Sequence, residues 1–151
     1  EEEDFGEIRF NNKVLHKSKL LKYFIEDNYT VEKLENDLIS IYKKIKKDKK
    51  YYYSAKDVIL LDSLKADGIQ LPKKLEKQYS KDQLTIPKSL IELSDQGQIG
   101  LVLLKIIEII GEDQLEDLDP ETLYFITSTL NKLDLKKIRN NIIIKTLPYR
   151  V

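Results

Sequence analysis

The sequence predicts an all-α protein, and three observations predict it. Apolar residues recur at helical spacing from residue 18 onward. Residue types that start and stop helices stand between those runs. No stretch reads as a central strand. The expected architecture is an array of antiparallel helix pairs, stacked as a solenoid or as an irregular bundle.

Taken in order, residues 1–17 read as an acidic, extended lead-in. Within it "IRFNNKVLH" alternates around Asn11 and Asn12, which allows a short N-terminal hairpin. Residues 18–151 then read as a single α-helical domain, a length that one hydrophobic core can serve. The chain contains no Met, even at position 1, and is expected to be a piece cut from a longer protein. The lack of a leader sequence is therefore uninformative.

Ser18 is placed to cap a short helix carrying Leu20, Leu21, Phe24 and Ile25. Thr30 is placed to cap the next, with Val31, Leu34, Leu38, Ile41, Tyr42 and Ile45 on one face. Ser54 and Asp57 form the pattern of a capping box, opening a helix through Val58, Leu61 and Leu64 that Gly68 stops. Pro72 and Pro87 stand where first helical turns tolerate proline. Gly97 ends the second of those segments. A helix over residues 99–110 follows, stopped by Gly111. Asp119-Pro120-Glu121 then combines an N-cap, a first-turn proline and an acid near the positive helix end. Asp134 is expected to cap the last helix, with Leu135, Ile138, Ile142 and Ile143 as its apolar positions and Pro148 beyond it. About seven helices result.

Residues 99–110 are apolar except for Gly100, Lys105 and Glu108. A membrane span needs roughly 20 such residues, so no membrane span is expected. Apolar side chains lie all round this helix, which predicts burial between neighbours, with Lys105 and Glu108 as its wet edge. It is expected to be the most buried element.

Composition narrows function by exclusion. Without Cys there are no disulfides, thiol nucleophiles or zinc–thiolate sites. His16 is the sole histidine, which points to a solvated or locally hydrogen-bonded ring. The five glycines are scattered, so no phosphate-cradling loop exists. Glu112, Asp113, Glu116, Asp117, Asp119 and Glu121 lack the central Gly and ligand spacing of a calcium loop, and read as a connecting turn. No catalytic, metal or cofactor-binding residues are assigned, and no cofactor is expected.

One stretch has the make-up of a binding patch: Lys43, Lys44, Lys46, Lys47, Lys49 and Lys50, followed by Tyr51, Tyr52 and Tyr53. Lysines can track phosphates and tyrosines can stack on bases. The plainer reading is a solvated helix end whose tyrosines cover the base of the next helix. Formal charge balances to zero overall, yet residues 43–81 hold 12 Lys against 5 acids, a net +7. Residues 92–121 hold 9 acids against Lys105, a net −8. Such separation can steer partners or let repeats meet end to end, and ordinary surface drift in a charge-rich protein produces it too. Arginine occurs only at Arg9, Arg139 and Arg150, which argues against specific nucleic-acid recognition.

"LLDSLKADGIQLP" (residues 60–72) and "LDPETLYFITSTLNKLDLKKIRNNIIIKTLP" (residues 118–148) resemble the C-terminal helical-repeat region of large uncharacterised alphaproteobacterial proteins of the rickettsial branch. The resemblance rests on turn and cap residues. It implies an α-helical repeat scaffold and brings no functional residues with it. The expected function is thus a non-catalytic scaffold or protein–protein interaction module, with a protein as partner. The alternatives are a Lys/Tyr-rich module for nucleic acid or acidic surfaces, and an accessory domain of an enzyme whose site lies outside this chain.

Overall fold

Three helix starts are fixed by side chains standing where the sequence places them. Thr30 Oγ1 accepts from the Lys33 N–H at 3.2 Å, Ser54 Oγ from the Asp57 N–H at 3.2 Å, and Asp119 Oδ1 from the Thr122 N–H at 2.7 Å. Each satisfies one of the orphan donors of a helical first turn. The structure, a computed structural model, describes residues 15–26, 29–78 and 84–147.

Among the described residues there are eight α-helices and no strand, so the protein is all-α. They are α1 (Lys22–Ile25), α2 (Val31–Lys46), α3 (Ala55–Ala66), α4 (Lys73–Gln78), α5 (Lys88–Asp95), α6 (Ile99–Ile110), α7 (Pro120–Lys132) and α8 (Lys136–Thr146). Short 3-10 turns lie at Leu15–Lys17, Lys19–Leu21 and Leu115–Asp117. The hairpin expected around Asn11 and Asn12, and Pro148, lie outside the described residues. Ordered packing begins before residue 18, because Leu15 is fully buried. No helix among the described residues is long and apolar enough to cross a membrane.

Three helices stop in the same way. After α3 the Ile69 N–H reaches back to the Leu64 carbonyl at 3.0 Å, and the Gly68 N–H to that of Lys65 at 3.0 Å. Gln98 and Gly97 do the same after α5, and Leu135 and Asp134 after α7. This motif needs a left-handed residue at its bend, which glycine supplies without steric cost. At the third bend Asp134 adopts φ 57° itself. The expectation that Asp134 caps α8 is thereby corrected: it closes α7, and the residue at the N-cap of α8 is Leu135. Asp tolerates the left-handed region better than most side chains, which allows this use.

The centre of the packing is α3. Val58, Ile59, Leu60, Leu61 and Leu64 are all buried, together with the polar Asp57 and Ser63. Its contact with α7 is the most extensive between any two helices. Around that pair, α5 packs on α7 and on α6, α8 packs on α7, and α1 packs on α8. Contact between the first helix and the last is not a feature of a solenoid, where units touch only their neighbours. The irregular bundle, of the two expected arrangements, accounts for it.

The helix α6 has the predicted bounds but not the predicted burial. Only Val102 and Ile106 are buried, whereas Leu104 and Ile107 are each 63% exposed and Leu101 is 51% exposed. Lys105 is half-buried rather than at the wettest edge. At about 100° per residue, Leu104 lies opposite the Val102–Ile106 stripe. The reason is positional: α6 packs chiefly on α5 and lies at the rim, while all-round burial falls to α3.

These placements separate two leucines. Leu60→Ala, in α3, is expected to cost about 2–5 kcal/mol, as truncations of buried leucines do. Leu104→Ala is expected to stay within about 0.5 kcal/mol, as exposed substitutions usually do. Urea unfolding of both variants beside the parent measures the difference, and equal losses would contradict the outer position of α6.

Candidate functional site

The structure gathers polar side chains at both ends of α3 and leaves an apolar face bare on α6. At the N-terminal end, Asp57 is wholly buried and its carboxylate is shared by two segments. Oδ1 accepts from the His16 backbone N–H at 3.0 Å and lies 2.6 Å from His16 Nδ1. Oδ2 accepts from the Tyr51 hydroxyl at 2.6 Å, and the Tyr51 oxygen in turn accepts from the Leu15 N–H at 3.2 Å. Only the capping half of the expected Ser54–Asp57 box is thus used in the expected way, since the Asp57 carboxylate turns to His16 and Tyr51.

Ser54, His16 and Asp57 are the residue types of a nucleophilic relay, so their geometry matters. A relay needs the acid on one ring nitrogen of histidine and the serine on the other. Here both face Nδ1, with Ser54 Oγ at 3.5 Å, and that oxygen already caps α3. The cluster anchors the N-terminal segment onto α3. It does not form a relay.

At the other end of α3, Arg139 is 1% exposed and forms a bidentate pair with Asp67. Nη1 donates to Oδ1 at 2.8 Å and Nη2 to Oδ2 at 2.7 Å. Nη1 also reaches Asn131 Oδ1 at 3.0 Å and the Ser63 carbonyl at 3.3 Å, while Nη2 and Nε donate to Asn140 Oδ1. The guanidinium stacks 5.6 Å from the Phe24 ring centre. Tyr23 and Lys136 approach the same Asp67 oxygen at 3.3 and 3.6 Å. The cation also sits at the C-terminal end of α3, where the helix dipole favours positive charge.

The Lys/Tyr stretch is divided by the fold. Lys43, Lys44, Lys46, Lys47, Lys49 and Lys50 are all exposed, along the last turn of α2 and the turn after it. Tyr51 and Tyr53 lean inward, edge to face at 5.1 Å, and Tyr52 is 60% exposed. Burial, first, and then the Asp57 carboxylate push the Tyr51 hydroxyl far above its ordinary range. Burial, with Tyr42 and Asp57 nearby, pushes Tyr53 up to about 12.

The bare face of α6 borders a shallow open groove against α5. Leu93, Leu101 and Leu104 give it apolar walls, and Glu92, Lys105 and Glu108 stand along it. Ile91 and Ile99 add exposed apolar surface on the same two helices. Beyond the C-terminus of α6, Glu112, Asp113, Glu116 and Asp117 are exposed. Among the described residues, no three His, Cys, Asp or Glu side chains are grouped to hold a metal ion. Comparison with protein-family models, with curated proteins and with solved structures finds no match for this chain.

Sequence reasoning passed over the pairing of Arg139 with Asp67, and read Asp57 only as part of a helix start. A signal existed for the first: Leu135, Arg139, Ile142 and Ile143 share the spacing of one helix face, so an arginine stood on the core stripe of a lysine-rich chain. Its partner, 72 positions away, had no local mark.

Two predictions arise here. Arg139→Met leaves Asp67 buried without its main partner and is expected to cost about 3–5 kcal/mol, the range for breaking one side of a buried pair. Adding Asp67→Asn should cost much less than a second independent loss, because the two residues act as one unit. A double-mutant cycle in urea tests this, and simple additivity would contradict the pairing.

The second concerns alkaline pH. Tyr53 prefers its neutral form when folded, so its contribution is whole below pH 10.0, its ordinary value, and fades as pH rises toward about 12. Tyr51 shifts in the same direction. Tyrosinate absorbance from these residues should therefore appear together with loss of helical circular dichroism. Full tyrosine ionisation near pH 10.0 with the helices intact would contradict their burial.

Proposed function

We propose that this chain is a non-catalytic helical module for protein–protein interaction, working within a longer helical scaffold. The observation that carries the reading is the row Leu101, Leu104 and Ile107, apolar and more than half exposed on a well-formed helix. Contiguous exposed apolar surface beside a groove is what protein-binding sites present. Among the described residues the two buried polar clusters are consumed in joining helices, whereas the α5–α6 face keeps apolar side chains open to another molecule.

A second reading keeps the exposed lysines of residues 43–50 as a site for nucleic acid or another acidic surface. Against it, Tyr51 and Tyr53 are committed to the interior, so the stacking part of such a site is reduced to Tyr52.

Replacing Leu104 and Ile107 together by Ser separates these readings, since both side chains are exposed and folding should survive. The variant should match the parent in urea midpoint, and proteins retained by the immobilised parent should be lost. Retention of the same proteins by both forms would defeat the proposal. So would tight binding of random single-stranded DNA that disappears when Lys43, Lys44, Lys46 and Lys47 become Gln.

A further inference from the structure

We infer that the α5–α6 face receives a basic amphipathic helix from a protein partner. The inference rests on the interaction-module reading above and specifies the chemistry of what binds.

The shape of the site selects a helix. The groove runs between two helices with Leu101 and Leu104 on its α6 wall, and the exposed Ile107 continues their row at helical intervals. The apolar stripe of a partner helix, spaced i, i+3, i+4 and i+7, matches such a surface.

Charge selects the sign. The two helices and the turn after them, residues 88–113, carry five acids against Lys88 and Lys105, a net −3. Glu92 and Glu108 stand at the groove itself, and their contacts with Lys88 at 4.0 Å and Lys105 at 3.6 Å are exposed. Exposed pairs of that kind are weak and readily exchanged for others. At the C-terminal end of α6 no basic residue occupies the last turn, and Glu112 and Asp113 follow directly. Acids there add to the negative end of the helix dipole, so this end of the face is electronegative from backbone and side chains alike. Lys or Arg flanking the partner's apolar stripe would be drawn to it and held beside it.

The same charge argues against the other occupants. A second copy laid face to face would bring two net acidic surfaces together. The chain's own lysine-rich residues 43–50 lack an apolar ridge to fill the groove, since Ile45 is buried. An anionic membrane surface would be repelled.

The test uses three synthetic peptides of about four helical turns, titrated into the 151-residue chain by fluorescence anisotropy. One carries Leu at i, i+3, i+4 and i+7 with Lys elsewhere, the second has the same leucines with Glu, and the third has the first composition with its leucines scattered. The Lys-striped peptide should bind at least about tenfold tighter than either other, and weaken with salt. The Leu104→Ser, Ile107→Ser double variant should lose about tenfold or more, as loss of central apolar anchors does.

Equal binding of the Lys- and Glu-striped peptides, abolished by the double variant, would overturn the basic partner and leave the interaction module standing. So would a dimer in sedimentation that the double variant dissociates. Equal binding of the striped and scattered Lys peptides, unaffected by the variant, would reduce the effect to general attraction and overturn the inference. A monomer that binds no peptide would count against both readings.

Discussion

The bidentate pair between Arg139 and Asp67 decides how the helices meet. It lies where the end of α3, the end of α7 and the start of α8 converge, with Phe24 of α1 against the guanidinium face. Taking a guanidinium out of water is costly, and it is tolerated here because its N–H groups find carboxylate, amide and carbonyl acceptors together. Two tight turns make this possible. The bend at Gly68 follows Asp67 directly, and the bend at Asp134 folds α8 back so that Arg139 reaches Asn131, eight positions earlier.

The opposite end of α3 is held by the same physical means. Buried Asp57 takes hydrogen bonds from His16 and Tyr51, so the N-terminal segment and the stretch after α2 are both tied to the first turn of α3. Between the two carboxylates lie Leu60, Leu61 and Leu64, wholly enclosed. A helix fixed at both ends and buried along its length organises whatever packs on it. Here that is α7, which in turn carries α5 and α8.

The place of α6 follows from this order of layers. With α3 at the centre and α7 over it, α5 covers α7 and α6 lies beyond α5. Its inner stripe of Val102 and Ile106 seats it, and among the described residues no helix covers its outer apolar side chains. The most hydrophobic helix among the described residues is therefore also one that keeps apolar side chains in water.

The sequence by itself determined the helices and most of their ends, because caps, prolines and glycines act on backbone groups within four or five residues. Thr30, Ser54, Asp119, Gly68, Gly97 and Gly111 all stand at the boundaries they implied. Asp134 did not, since the same side chain can cap a helix start or occupy a left-handed bend, and the connection between α7 and α8 decides which. Burial was legible only as a face. Leu34, Leu38, Ile41 and Ile45 followed their period inward, whereas Ile25 and Val31 ended up half exposed at the same spacing. The tertiary structure alone decided that α3 rather than α6 is enclosed. It also decided that an aspartate and an arginine far apart in the chain are each other's partners. Hydrophobicity records how much a helix gains by leaving water, but the number of neighbours around it depends on the path of the entire chain.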